Sequence, residues 1–204
     1  VAETTNDADG SFVFHDVKFE KAGTYNYNIV EKDTGIAGIT YDEAIIPVKI
    51  VVVDENGELK ATATLPTGGA NFSNGYAPNS TKIQISSIKL LEGRELVAGE
   101  FEFVLTDKDG KVLDTAKNDA KGEIKFKEIP YTEEGTFTYK ISEVKGTDAN
   151  VTYDDTVYTV NVTVKDDKEG YLVATLDNNG EAMVFKNIYK APPVEETDEP
   201  ATGD

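Results

Sequence analysis

Phe137-Thr138-Tyr139-Lys140-Ile141-Ser142-Glu143 is the stretch on which the fold turns. In an extended strand alternate residues face the same side. Phe137, Tyr139 and Ile141 therefore make an apolar face, and Glu143 stands in line with them. A carboxyl on the buried side of a strand is costly unless it has a partner or gives up its charge. The pattern occurs a second time as Tyr25-Asn26-Tyr27-Asn28-Ile29-Val30-Glu31, again with the glutamate in register with the rings. One inward glutamate could be a strand end tipping into water; two at matching places mark something the fold requires.

Both stretches belong to an internal repeat with an offset of about 112 residues (143 minus 31). Gly10-Ser-Phe-Val-Phe14 matches Gly122-Glu-Ile-Lys-Phe126, and Ile39-Thr-Tyr41-Asp42 matches Val151-Thr-Tyr153-Asp154. Strands alternate cleanly in both copies, through Ile46, Val48, Ile50 and Val52 in one and Tyr158, Val160, Val162 and Val164 in the other. No long stretch carries a helical apolar stripe, so the class is all-β, and the offset is the length of a small sandwich domain.

The repeat divides the 204 residues. The expected boundaries are a first copy at 1–77, a linker at 78–80, a second copy at 81–190, and an acidic, proline-rich tail at 191–204 expected to be disordered. Residue 1 corresponds to about residue 113, so the first copy is expected to be N-terminally incomplete, without counterparts of the strands Lys82–Leu91 and Glu100–Thr106. Half a sandwich with an open edge should not be stable alone. The expectation is a piece of a longer repetitive protein; the rival is a strand donated by a neighbouring molecule.

Composition narrows the function classes. A formal net charge of -18 argues against nucleic acid and against an anionic membrane surface, which would both be repelled. Cysteine is absent, so disulfides and thiolate chemistry are not available. No stretch approaches the apolar length of a membrane span, and any targeting peptide is expected to have been removed or to lie outside this fragment.

The outer strands of the second copy add two more inward polar residues. Ile83, Ile85, Ser87, Lys89 and Leu91 share a face, and Asn187 shares one with Phe185 and Tyr189. Burial favours the uncharged form of an amine and of a carboxyl, by up to roughly 3–5 pH units for full burial. A neutral Lys89 amine could then attack the amide carbon of Asn187 while Glu143 polarises the carbonyl and shuttles protons, giving a Lys–Asn isopeptide bond. On periodicity alone an alternative stands beside it, in which Lys89 snorkels out at the strand end and Asn187 caps a turn.

Lys89-Leu-Leu-Glu-Gly-Arg-Glu-Leu96 followed by Gly99-Glu-Phe-Glu-Phe103 resembles the opening of the streptococcal pilin isopeptide linker domains of FctA type. Tyr139-Lys-Ile-Ser-Glu143 and Phe185-Lys-Asn187-Ile-Tyr189 resemble that family's later motifs. The resemblance implies tandem Ig-like, CnaB-related β-sandwiches of a Gram-positive surface protein or pilin, outside the cell. It implies that Lys89 bonds Asn187 with Glu143 as the catalytic acid. In the first copy Glu31 and Asn74 match, forming an incomplete site, because the lysine would fall in the missing segment and Lys18 and Lys21 are on the wrong strand. Pro200, Thr202 and Gly203 resemble the end of a sortase recognition sequence, although Glu199 stands where leucine is usual. Sortase and peptidoglycan are then expected partners, with other pilin subunits or a host surface ligand beside them.

No cofactor or metal is expected. His15, the single histidine, is expected at the surface. Asp107-Lys-Asp-Gly110 lacks the later ligands of a calcium loop and reads as a hairpin turn. The expected function is a structural stalk module whose only chemistry is a single-turnover, autocatalytic cross-link. An adhesin that binds through its loops is the alternative, and a β-sandwich hydrolase lacks a visible polar cluster.

Overall fold

Alternating valine, isoleucine, threonine and tyrosine give strands throughout, and the described residues contain no helix. The structure is a computed structural model and describes residues 2–15, 17–178 and 181–193. Pro200, Thr202 and Gly203 of the expected sortase motif, with most of the expected tail, lie outside the described residues. The chain divides into two compact units, Val1–Tyr76 and Ala77–Asp204.

The first unit contains β1 (Gly23–Val30), β2 (Ile39–Thr40), β3 (Ile45–Glu55), β4 (Glu58–Thr64) and β5 (Gly75–Tyr76). These form an antiparallel sheet in the order β1-β3-β4 and a separate β2-β5 pair. Ile46, Val48 and Val52 are buried on one face of β3, as the alternation requires. Tyr27, by contrast, is 43% exposed on β1. Residues 11–15 form no strand, although their sequence match Glu123–Lys125 does. The reason is the ladder: Glu123–Lys125 is held as a strand by pairing with Ser86–Ile88, and no described segment of the first unit plays that part.

The second unit contains β6 (Thr81–Ile83), β7 (Ser86–Glu92), β8 (Glu102–Asp107), β9 (Val112–Lys117), β10 (Glu123–Lys125) and β11 (Ile129–Tyr131). It continues with β12 (Gly135–Glu143), β13 (Val151–Thr152), β14 (Val157–Asp166), β15 (Leu172–Asp177) and β16 (Val184–Tyr189). A five-stranded sheet runs β15-β14-β12-β8-β9 and a four-stranded sheet runs β10-β7-β16-β13. Phe103, Leu105, Ile141, Val160 and Val162 of the first sheet meet Ile124 and Phe185 of the second in one buried core. The rings of Phe103 and Phe185 lie 5.1 Å apart, centroid to centroid, across it.

One expected element is split. The stretch Lys82–Leu91 reads as a continuous strand, yet β6 pairs with β11 while β7 pairs with β10 and β16. Between them the side chain of Gln84 donates to the carbonyl of Phe126 at 2.9 Å, and Phe126 N donates to Ile85 O at 3.1 Å. These two bonds tie the chain to Phe126 where it passes from one sheet to another. The turn Asp107–Gly110 joins β8 to β9, its aspartate accepting from the amides of Asp109 and Lys111.

Gly122 locks the β7 edge. Its φ is +86°, and its carbonyl accepts the Lys89 amide at 2.6 Å. A Cβ here would run into the carbonyl oxygen of Lys89. Gly122→Ala is expected to lower the stability of the second unit by about 2–4 kcal/mol, the strain and the clash together, in urea unfolding.

Candidate functional site

Three elements bring three polar side chains to one point in the core. β7 and β16 are parallel neighbours, with Lys89 opposite Phe185 and Leu91 opposite Asn187. Lys89 and Asn187 therefore lie on adjacent strands of one sheet and on its inner face. Glu143 comes from the facing sheet, at the last residue of β12, opposite Phe103 of β8. Lys89 is 1% exposed and Asn187 0%, and the side chain of Glu143 is wholly enclosed.

The carboxylate of Glu143 bridges the other two. Lys89 Nζ donates to Glu143 Oε2 at 2.6 Å, and Asn187 Nδ2 donates to Glu143 Oε1 at 2.6 Å. The carboxamide oxygen Oδ1 accepts the main-chain N–H of Asp154 at 2.8 Å. Aromatic rings wall the amine, with Phe101 4.6 Å and Phe103 5.8 Å from Nζ to the ring centroids. Burial lowers the pKa of Lys89 below the ordinary lysine value, against the opposing pull of Glu143. The interior thus favours a lysine that gives up its proton more readily than one in water.

Asp154, which the sequence marks only by its place in the repeat, is held at both carboxylate oxygens. Its Oδ2 accepts the amide of Lys186 at 2.7 Å and its Oδ1 accepts the amide of Thr156 at 2.9 Å. Burial alone would raise its pKa, but these bonds and the nearby Lys89 charge hold it below the usual carboxylate range. Arg94 has no marker of its role in strand alternation. It pairs with Glu100 and lies over the ring of Tyr189, 4.8 Å from its centroid, buttressing the end of β16. The pairing of a charged pattern residue with a distant ring has no one-dimensional signature.

The first unit reproduces part of this arrangement. Asn74 Nδ2 donates to Glu31 Oε1 at 2.7 Å, and Asp42 N lies 3.0 Å from Asn74 Oδ1. No lysine pairs with Glu31 among the described residues, and Lys18 and Lys21 are exposed. His15 is exposed as well.

A family model described as FctA, Spy0128-like isopeptide containing domain, matches residues 1–77 and 85–190. Among solved structures the chain is similar to the major pilin protein T3.2 of Streptococcus pyogenes, with 15% identity, a TM-score of 0.28, and 91% of this chain and 84% of that chain covered. It is also similar to the major pilin protein T-13 of the same organism, with 19% identity, a TM-score of 0.27, and 91% and 76% covered. No curated protein matches the chain.

A buried ion pair is expensive to break from one side, because the surviving charge is left unpartnered. In an Asn187→Ala background, which keeps the Lys89–Glu143 contact, Lys89→Met is expected to cost roughly 3–5 kcal/mol in urea unfolding. Adding Glu143→Gln is expected to return most of that loss.

Proposed function

This chain belongs to the FctA family of Spy0128-like isopeptide-containing domains, and from that premise we propose that it is a structural, pilin-like stalk module braced by a Lys–Asn bond of its own making. The observation that carries the reading is the single carboxylate of Glu143, holding the Lys89 amine on one oxygen and the Asn187 carboxamide on the other inside a dry core.

The chemistry follows from that contact. One proton passes from Nζ of Lys89 to Glu143, leaving a neutral amine beside a carboxylic acid. Nζ adds to Cγ of Asn187, and the new C–N bond forms as Glu143 protonates Nδ2 and takes a proton from Nζ. The old C–N bond breaks and ammonia leaves. An amide joins the two side chains, and Glu143 ends protonated. Five protons on the two nitrogens become three on ammonia, one on the amide and one on the acid. The event happens once per chain, so the protein turns nothing over.

The bond would close a loop of 98 residues (187 minus 89), worth at most about 5 kcal/mol of chain entropy by analogy with disulfides. Its mechanical effect is larger. Tension entering β7 would cross from Lys89 to Asn187 and leave through Tyr189, so that the strands between carry no load. Such a module suits a Gram-positive cell surface. Other pilin subunits are its proposed partners, and Pro200, Thr202 and Gly203 are the proposed remnant of a sortase site for linkage to peptidoglycan.

Intact mass tests the reading. The folded chain is expected to be lighter than its sequence by one ammonia, and Lys89→Ala, Asn187→Ala and Glu143→Ala should each have the full mass. A wild-type chain of unmodified mass would end the proposal.

A further inference from the structure

Nucleophilic addition to a carboxamide places negative charge on its oxygen, and donors aimed at that atom before the reaction lower the barrier. In the second unit the donor aimed at Asn187 Oδ1 is the main-chain N–H of Asp154, at 2.8 Å. The N–H is thus already hydrogen-bonded to the oxygen on which the charge develops, whose oxyanion a donor stabilises best from about 2.7–3.1 Å. The peptide group carrying it is fixed from both sides by its own side chain. Oδ1 accepts Thr156 N at 2.9 Å and closes the turn after it; Oδ2 accepts Lys186 N at 2.7 Å, the amide adjacent to Asn187.

The first unit carries the same set independently. Asp42 N donates to Asn74 Oδ1 at 3.0 Å, shared with Glu31 Oε2 at 3.1 Å, while Asp42 Oδ1 accepts Ala44 N at 2.9 Å and Asp42 Oδ2 accepts Ser73 N at 2.8 Å. Ser73 precedes Asn74 as Lys186 precedes Asn187. Asn74 is exposed, and no lysine pairs with Glu31 among the described residues, so neither burial nor an amine holds the asparagine there. There the carboxamide is held by Glu31 at Nδ2 and by the aspartate network at Oδ1, as Glu143 and Asp154 hold it in the second unit.

We infer that Asp154 is the positioning residue of the condensation: its carboxylate ties the 154–156 turn to the amide before Asn187 and so aims its own N–H as the oxyanion donor. This rests on the isopeptide reading above. When Nζ of Lys89 adds to Cγ, the C=O electron pair moves onto Oδ1 and is held by the Asp154 N–H. It returns to re-form the carbonyl as Nδ2 departs with its protons as ammonia. The donor keeps its proton throughout. Asp154 therefore acts on the geometry and charge of the carboxamide, while Glu143 moves the protons.

The rate of ammonia loss tests this. The full chain is made by cell-free synthesis, translation is stopped, and aliquots quenched in acid are weighed by intact mass, with near-UV circular dichroism following folding. Asp154→Ala is expected to slow the mass change by about 10-fold or more after the native signal is reached, since loss of a whole oxyanion donor costs 10²–10³ and a slackened one less. Asp154→Asn keeps an acceptor for Thr156 N and loses the one for Lys186 N, so it should fall between Asp154→Ala and wild type. A folded Asp154→Ala that links at the wild-type rate overturns the inference. If Asp154→Ala does not fold, Asp154→Asn decides in the same way. In the wild-type chain the amide proton of Asp154 should be protected from exchange, and an unprotected one overturns the inference whatever the variants do. A wild type that links while Asp154→Ala keeps pace removes only this inference; a wild type that never links removes the isopeptide reading with it.

Discussion

One carboxylate with no access to water governs the second unit. Glu143 has two oxygens and no solvent, so each must be satisfied by a partner from the opposite sheet. Lys89 takes one and Asn187 the other. Those partners come from the first long strand of the unit and from its last, and the carboxylate comes from the strand facing both. The registers of β7, β12 and β16 are thereby fixed to one another, since a slip of one residue would turn any of the three groups to the outer face. The same burial that makes the charges expensive lowers the pKa of the lysine. A structural cost and a chemical opportunity are one physical fact here.

The topology gives the contact its mechanical meaning. β7 and β16 are parallel, so their ends point the same way, and the two residues that Glu143 bridges lie mid-strand, each the fourth residue of its strand. Hydrogen bonds between parallel strands resist shear only collectively. A covalent bridge at that position would hold by itself, with the folded body between residues 89 and 187 released from the load. The aromatic walls of Phe101 and Phe103 keep water from the amine, while the charges of Glu143, Asp154 and Glu100 pull the other way and favour a protonated Lys89.

Much of this was legible in the sequence, because strand alternation puts side chains on faces without further information. Lys89, Glu143 and Asn187 could each be placed on an inner face from their apolar neighbours two residues away. The repeat supplied the second instance that separated Glu143 from an accident of a strand end. The break between β6 and β7 was not legible, since it depends on Gln84 reaching Phe126 across a sequence separation that no local pattern encodes. Nor was the missing strand at residues 11–15, where the match to Glu123–Lys125 is good and the absent ladder partner decides. Asp154 shows a third kind of limit: the repeated Tyr-Asp was plain to see, but its purpose lies in a main-chain N–H, a group every residue but proline carries.

The proposed function depends on Lys89 and Asn187 condensing where Glu143 brings them together. A crystal structure of the chain tests it most directly. Continuous electron density is expected from Nζ of Lys89 to Cγ of Asn187, planar as an amide, with none for a separate Nδ2. Density that ends in a free ammonium and an intact carboxamide, separated by a van der Waals gap, would contradict it.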